Sequence, residues 1–196
     1  MIPMADQAFL ATRTVLRAGL VVAGLCLAAT TALAQPKPAA GKPPAGKPAP
    51  GGPTLLQESA GWGAYSANSG KQKTCYALGK PRDRQPSSLK RDPAYVFISH
   101  RPGEGVKNEV SVVMGFDVKP DSSPKAEVGG SSFDMVAKGA NLWVKNPAEE
   151  GQFLDALRKS QRLVVKAVSK KGNATTDSYV LSGISSALER IGKECQ

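Results

Sequence analysis

The sequence predicts a mostly β domain: an antiparallel sandwich or barrel-like fold of about eight short strands with two short helices, the second at the C-terminus. Three observations predict it. Short β-rich runs, separated by Gly, Pro, Asn and Ser turns, succeed one another from Trp62 to Ser182. One of them, Glu109–Val118, alternates apolar and small or polar residues with a period of two. Helical periodicity is confined to a segment after Asn146 and to the last dozen residues.

The elements follow in order. Trp62–Ser66 reads as a strand, and Ala67-Asn68-Ser69-Gly70-Lys71 as a turn, because Asn and Gly tolerate positive φ. Lys73–Leu78 is the hairpin partner. Lys80–Pro93 is polar and carries three prolines, so it reads as a loop. Tyr95–Ser99 is a β-rich run, broken by Arg101–Gly105. In Glu109–Val118, the residues Val110, Val112, Met114, Phe116 and Val118 share one face, as a half-buried strand requires. Ala126–Val128 and Ser132–Ala137 flank Gly129-Gly130-Ser131 as a hairpin, and Leu142–Val144 follows another turn. Asn146-Pro147-Ala148-Glu149 is a helix start, with Asn as cap, Pro at the first position and Glu three residues after the cap. Phe153, Leu154 and Leu157 form that helix's apolar stripe, and Arg158 and Lys159 suit its negative end. Arg162–Ser169 and Thr175–Ser182 form the last hairpin.

The first 34 residues read as a secretory signal. Arg13 and Arg17 precede an uncharged apolar run from Ala18 that ends at Ala32-Leu33-Ala34, which predicts cleavage near Ala34. The run is short for a membrane span, which needs roughly 20 residues. The expected location is therefore the periplasm, or the medium or cell surface. Residues 35–55 read as a disordered linker built from Pro, Ala, Gly and Lys, with lysines thinly spread at 37, 42 and 47. It reads as a passive tail in preference to a basic spacer. Residues 56–196 are one domain's worth of chain.

Export decides the reading of the cysteines. Cys26 lies in the apolar run, with Leu25 before it where a lipoprotein would carry a small residue, so it leaves with the signal. Cys75 and Cys195 remain, and in an oxidising compartment two cysteines read first as one disulfide. Ile184, Leu188, Ile191 and Cys195 share one helical stripe, which points Cys195 at the core. A free reactive thiol is the competing reading.

The chain carries 26 Lys+Arg against 16 Asp+Glu, a net charge of +10. Without residues 1–34 the balance is 24 against 15, or +9. In the cytosol such a charge would point to nucleic acid. Export sets nucleic acid aside and leaves anionic envelope or host-cell surface components, with peripheral membrane contact as one form. Lys80, Arg82, Arg84, Lys90 and Arg91 fall within twelve residues, with Asp83 the acid nearest Arg82 and Arg84, and form the candidate surface for an anionic ligand.

Nothing in the sequence demands an enzyme, a cofactor or a metal. The single histidine, His100, reads as a surface or satisfied residue. No Cys/His cluster has metal spacing, no G-x-S-x-G elbow occurs, and Gly103-Glu104-Gly105 lacks the setting of a phosphate loop. Glu149 and Glu150 serve the helix start, and Trp62 and Trp143 read as core.

Four stretches, "GWGAYS", "TCYALGKP", "NEVSVVMGF" and "TTDSYVLSGISSALERIGKEC", together resemble the invasion associated locus B proteins, exported proteins of Gram-negative bacteria. The resemblance covers nearly all of residues 57–196 and excludes the linker. It implies a periplasmic or surface-associated β-rich domain, a part in host-cell entry in pathogens, and a structural role for Cys75 and Cys195. It brings no catalytic motif. The expected function is thus a non-enzymatic envelope or surface protein that binds an anionic partner or an envelope protein. A periplasmic chaperone or inhibitor is the alternative, and a hydrolase with a dispersed site ranks below both.

Overall fold

The computed structural model describes residues 52–196. The expected signal, Cys26 and residues 35–51 of the expected linker lie outside the described residues. The linker's last two residues, Thr54 and Leu55, belong instead to a first strand, β1 (Thr54–Ser59).

Ten more strands follow. They are β2 (Trp62–Ser69), β3 (Gln72–Gly79), β4 (Asp83–Gln85), β5 (Tyr95–Arg101) and β6 (Val106–Val113). Then come β7 (Lys125–Val128), β8 (Ser131–Lys138), β9 (Asn141–Val144), β10 (Arg162–Val168) and β11 (Ala174–Val180). The helices are α1 (Glu150–Lys159) and α2 (Ile184–Glu194). The fold is mostly antiparallel β with its second helix at the C-terminus, as the alternation and turn chemistry require. Two strands escape the sequence pattern. β1 is one face polar and continuous with a Pro/Gly segment, and β4 is three residues inside a proline-bracketed loop.

The strands form one open sheet in the order β1-β2-β3-β5-β6-β9-β8-β7-β10-β11-β4. β8 is where it bends. Ser131–Asp134 pair with β7, whereas Met135–Lys138 pair with β9, so one strand serves both halves. The second crossing is at Gly115. The alternation predicts one strand through Val118, but β6 stops at Val113. Gly115 adopts φ +69°, and a Cβ there would collide with the Asp92 carbonyl oxygen. The chain turns at this close approach, and Val118 bridges Ser169 on the other half of the sheet. Both halves contribute to the core, from Ala77, Ile98 and Val112 to Phe133, Leu163 and Val165.

The two ends of the sheet approach each other. The Trp62 indole N–H, from a fully buried ring, donates to the Val180 carbonyl at 2.9 Å and ties β2 to β11. Trp143, expected in the core, is half-buried. It stands beside Ser111 and Val136 on the strand face opposite Leu142 and Val144, which take the core positions. Tyr65, Tyr76, Phe97 and Tyr95 share that outer side, with successive centroids 5.3, 5.6 and 5.8 Å apart.

α1 begins as the Asn146 cap predicts. The Asn146 side chain accepts from the Ala148 N–H at 3.2 Å, and the first turn is a short 3₁₀ segment, Pro147–Glu149. Phe153 packs on Phe133 with centroids 4.8 Å apart. α2 lies on β1, β2 and β3, burying Ile184, Ala187, Leu188 and Ile191. The residue that follows it, Cys195, is joined to the sheet by the Cys75–Cys195 disulfide, with Cα atoms 5.9 Å apart across a separation of 120 residues. The start of the helix is fitted as closely. Gly183 has φ +93°, and a Cβ there would collide with the Ser59 carbonyl oxygen of β1.

Two outcomes are expected. Removing the bridge with Cys75→Ala plus Cys195→Ala lowers the unfolding free energy by about 2–5 kcal/mol in oxidising denaturant titrations, because so long a loop is no longer closed in the unfolded chain. Gly183→Ala lowers it by about 1–3 kcal/mol with both cysteines present, measured the same way, since it strains φ and forces α2 off β1.

Candidate anion-binding site

The five basic residues of the 80–91 loop do not stay together. Arg84 and Arg91 turn inward onto Asp177, a fully buried carboxylate on β11. Arg84 Nε donates to Asp177 Oδ2 at 3.1 Å, and Arg91 donates to Oδ1 at 2.9 Å. Arg84 also donates to the Asp92 and Met114 carbonyls, each at 2.7 Å, so each of its three guanidinium nitrogens has a partner. The Arg91 side chain is 6% exposed. Both guanidiniums are thus engaged by Asp177, while Arg91 still borders a cavity beside Lys90. A buried carboxylate needs opposing charge and donors, and they are what the fold recruits. Burial pushes the Asp177 carboxyl above its ordinary value, and Arg84 and then Arg91 pull against that rise. Burial also raises the phenol of neighbouring Tyr179, and the Asp177 charge adds to the rise.

Lys80, Arg82 and Lys90 remain exposed. Lys90 and Arg91 line a separate cavity with Phe116, Asp117, Lys170 and Lys171. Arg82 finds new company. Its N–H donates to the Ser178 carbonyl at 2.7 Å, just before β4 runs along β11. Beside it are Arg158, in the last turn of α1, and Arg162, which opens β10 opposite Val180. The three line a groove of about 820 Å³ together with Ser160, Ser182 and Ser185. None of the three forms a salt bridge among the described residues, whereas Arg84, Arg91, Arg101 and Arg190 all do. Asp83 is the one acid on the groove, and its carboxylate already accepts from Gln85 at 3.0 and 3.2 Å. An adjoining groove shares Arg82, Val180 and Ser182 and adds Lys80.

The chemistry this offers is that of an oxyanion receptor. Guanidinium forks grip carboxylate, sulfate or phosphate oxygens in pairs, and serine hydroxyls add donors. Exposed Val180 and the buried Leu181 give the wall an apolar stretch for the body that carries the anion. Arg158 was legible only as a helix-end charge and Arg162 only as a strand start. No sequence signal joins them to Arg82, about eighty positions away.

His100 is the penultimate residue of β5 and is buried, with its ring hydrogen-bonded to Asn108. The cavity beside it is lined by Pro102, Gly105, Val106, Lys107, Gly192, Cys195 and Gln196, which include neither a serine nor an Asp or Glu side chain.

These features define a class: a β-sheet domain whose C-terminal helix is stapled back onto an early strand. The same fold occurs in the crystal structure of invasion associated protein B from Bartonella henselae, with a TM-score of 0.50 and 15% sequence identity over 73% of this chain and 100% of that one. At that identity the likeness is one of fold, and it carries the family resemblance read from the sequence to that level. No family model matches this sequence, and no curated protein matches it.

Exchanging Asp177 for Asn leaves Arg84 and Arg91 facing each other without a counter-charge. The expected cost is about 3 kcal/mol of unfolding free energy. Asp134→Asn removes an ion pair that is exposed on both sides and is expected to leave the denaturation midpoint where it is.

Proposed function

We propose that this protein is an exported, non-enzymatic binding domain of the cell envelope or surface, which engages an anionic partner through the Arg82–Arg158–Arg162 groove. In a pathogen such binding would contribute to host-cell entry. The observation that carries the reading is the convergence of three exposed, unpaired guanidiniums from three separate segments on one concave surface. Free positive charge gathered in a groove is available for a ligand, while the paired arginines of the same protein are already satisfied. The net charge of +9 without residues 1–34 adds long-range attraction to any anionic surface. The fold shared with invasion associated protein B supports the setting. The alternative reading, a chaperone that covers another protein's strand, would use the free edge of β1. That edge carries a bulge between Leu55 and Gln57, a feature that blunts strand addition.

The test is cosedimentation of the purified chain with vesicles containing anionic phospholipid, at low salt. Arg82→Gln, Arg158→Gln and Arg162→Gln combined should weaken binding on the order of 100-fold, at about 1 kcal/mol per basic residue near an anionic surface. Exchanging the exposed Lys125 and Lys166, which lie outside the groove on the same half of the sheet and are already paired with Asp134 and Glu127, should have a far smaller effect. Equal loss from both variants would reduce the groove to bulk charge. Crosslinking in intact cells, followed by identification of the captured component, tests the location and the partner.

A further inference from the structure

The bridge has a neighbour that the staple does not explain. His100 stands directly opposite Cys75 in the β3–β5 register, and both belong to the buried face. Side chains so paired approach closely enough to interact. His100 is 4% exposed. Its Nε2 lies 2.8 Å from the Asn108 side-chain oxygen, so Nε2–H donates there and Nδ1 is left as an acceptor. Nδ1 is sealed from solvent and has no hydrogen-bond partner. A buried acceptor without a donor works against the state that contains it. The group at the paired position is the Cys75 sulfur. A disulfide sulfur carries no hydrogen, but a thiol does. Reducing the bridge therefore places a donor on the residue paired with His100.

Access to the bridge is one-sided. Cys75 is fully buried, while Cys195 borders a cavity of about 550 Å³ at the end of α2. Lys107 lines the same cavity, a charge that favours an approaching thiolate.

We propose that the Cys75–Cys195 bridge is a thiol-exchange site, opened at Cys195 by a dithiol reductant and biased toward reduction by His100. The incoming thiolate forms an S–S bond to Cys195 Sγ. The Cys75–Cys195 bond breaks, and its electron pair leaves on Cys75 Sγ. The reductant's second thiolate then attacks its own sulfur in the mixed disulfide and releases Cys195. The dithiol is oxidised to a disulfide, the bridge is reduced, and the two protons lost by the dithiol end on the two protein thiols. The Cys75 thiol then donates to His100 Nδ1. α2 stays docked in the reduced form. Its apolar stripe is buried independently of the bridge, and Lys73 holds Glu194 through the backbone oxygen at 2.9 Å and the carboxylate at 2.7 Å. This site is separate from the arginine groove and does not depend on what the groove binds.

The test is a redox equilibrium on the full chain. Wild type and His100→Leu are equilibrated in graded ratios of reduced to oxidised dithiothreitol, alkylated, and weighed. The variant is expected to need a ratio about tenfold more reducing, or about 30 mV for this two-electron couple. A shift under twofold overturns the role of His100. His100→Phe is measured in parallel, so that a Leu variant that fails to fold by circular dichroism does not end the test; the same two outcomes apply to it. Brief exposure of wild type to glutathione followed by peptide mapping gives an independent readout. An adduct on Cys195 supports the site, and an adduct on Cys75, or none at either cysteine, overturns it.

Discussion

The carboxylate of Asp177 constrains more of this structure than any other single group. It is fully buried on β11, and a buried charge demands partners. Arg84 and Arg91 answer that demand from a loop that has little else to hold it. β4 is held on β11, and the Arg84 fork fastens the chain to the carbonyls of Asp92 and Met114, at the point where Gly115 lets it leave one half of the sheet for the other. The sheet's last edge is set by this arrangement. So is Arg82, two residues before Arg84, which is delivered to the mouth of the groove because its neighbour is anchored inside.

An open antiparallel sheet must also cover its apolar face near the ends. Here α2 does so over β1, β2 and β3, with a tight fit at both of its ends. Gly183 permits contact with the Ser59 carbonyl at the start, and Cys195 is joined to Cys75 at the finish. Between them the stripe from Ile184 to Ile191 is buried. The burial and the covalent link act on the same helix but on different states: burial stabilises the folded chain, while the link restricts the unfolded one. The helix can thus remain in place while the chemistry of the residue that follows it changes.

The division of the arginines between structural and free roles follows from burial alone. Arg84 and Arg82 are alike in sequence, both in a basic polar loop with an aspartate between them. One meets a desolvated carboxylate and is consumed by it. The other meets two more guanidiniums and open solvent. Charge density along the chain could nominate the loop, but it could not say which side chains face the carboxylate of a strand more than ninety positions away.

What was legible in the sequence was local. Alternation in Val110–Val112, glycine turns at Gly70 and Gly129-Gly130, the Asn146 cap and the apolar stripe of α2 each depend on residues within a turn or a strand of one another, and periodicity reports such relations directly. The cysteine pairing was legible on the expectation of export, under which Cys26 leaves with the signal and the remaining two cysteines allow one combination. The two missed strands were not legible. β1 is held by β2 and α2 rather than by its own pattern, and β4 is held by an ion pair to β11. The groove was not legible either, since Arg82 comes from the segment before β4 and meets Arg158 of α1 and Arg162 of β10 only in the folded chain. Sequence determined which elements form. Tertiary structure alone decided which charges are buried, which are free and which of them meet, because those depend on distances that only the closed chain defines.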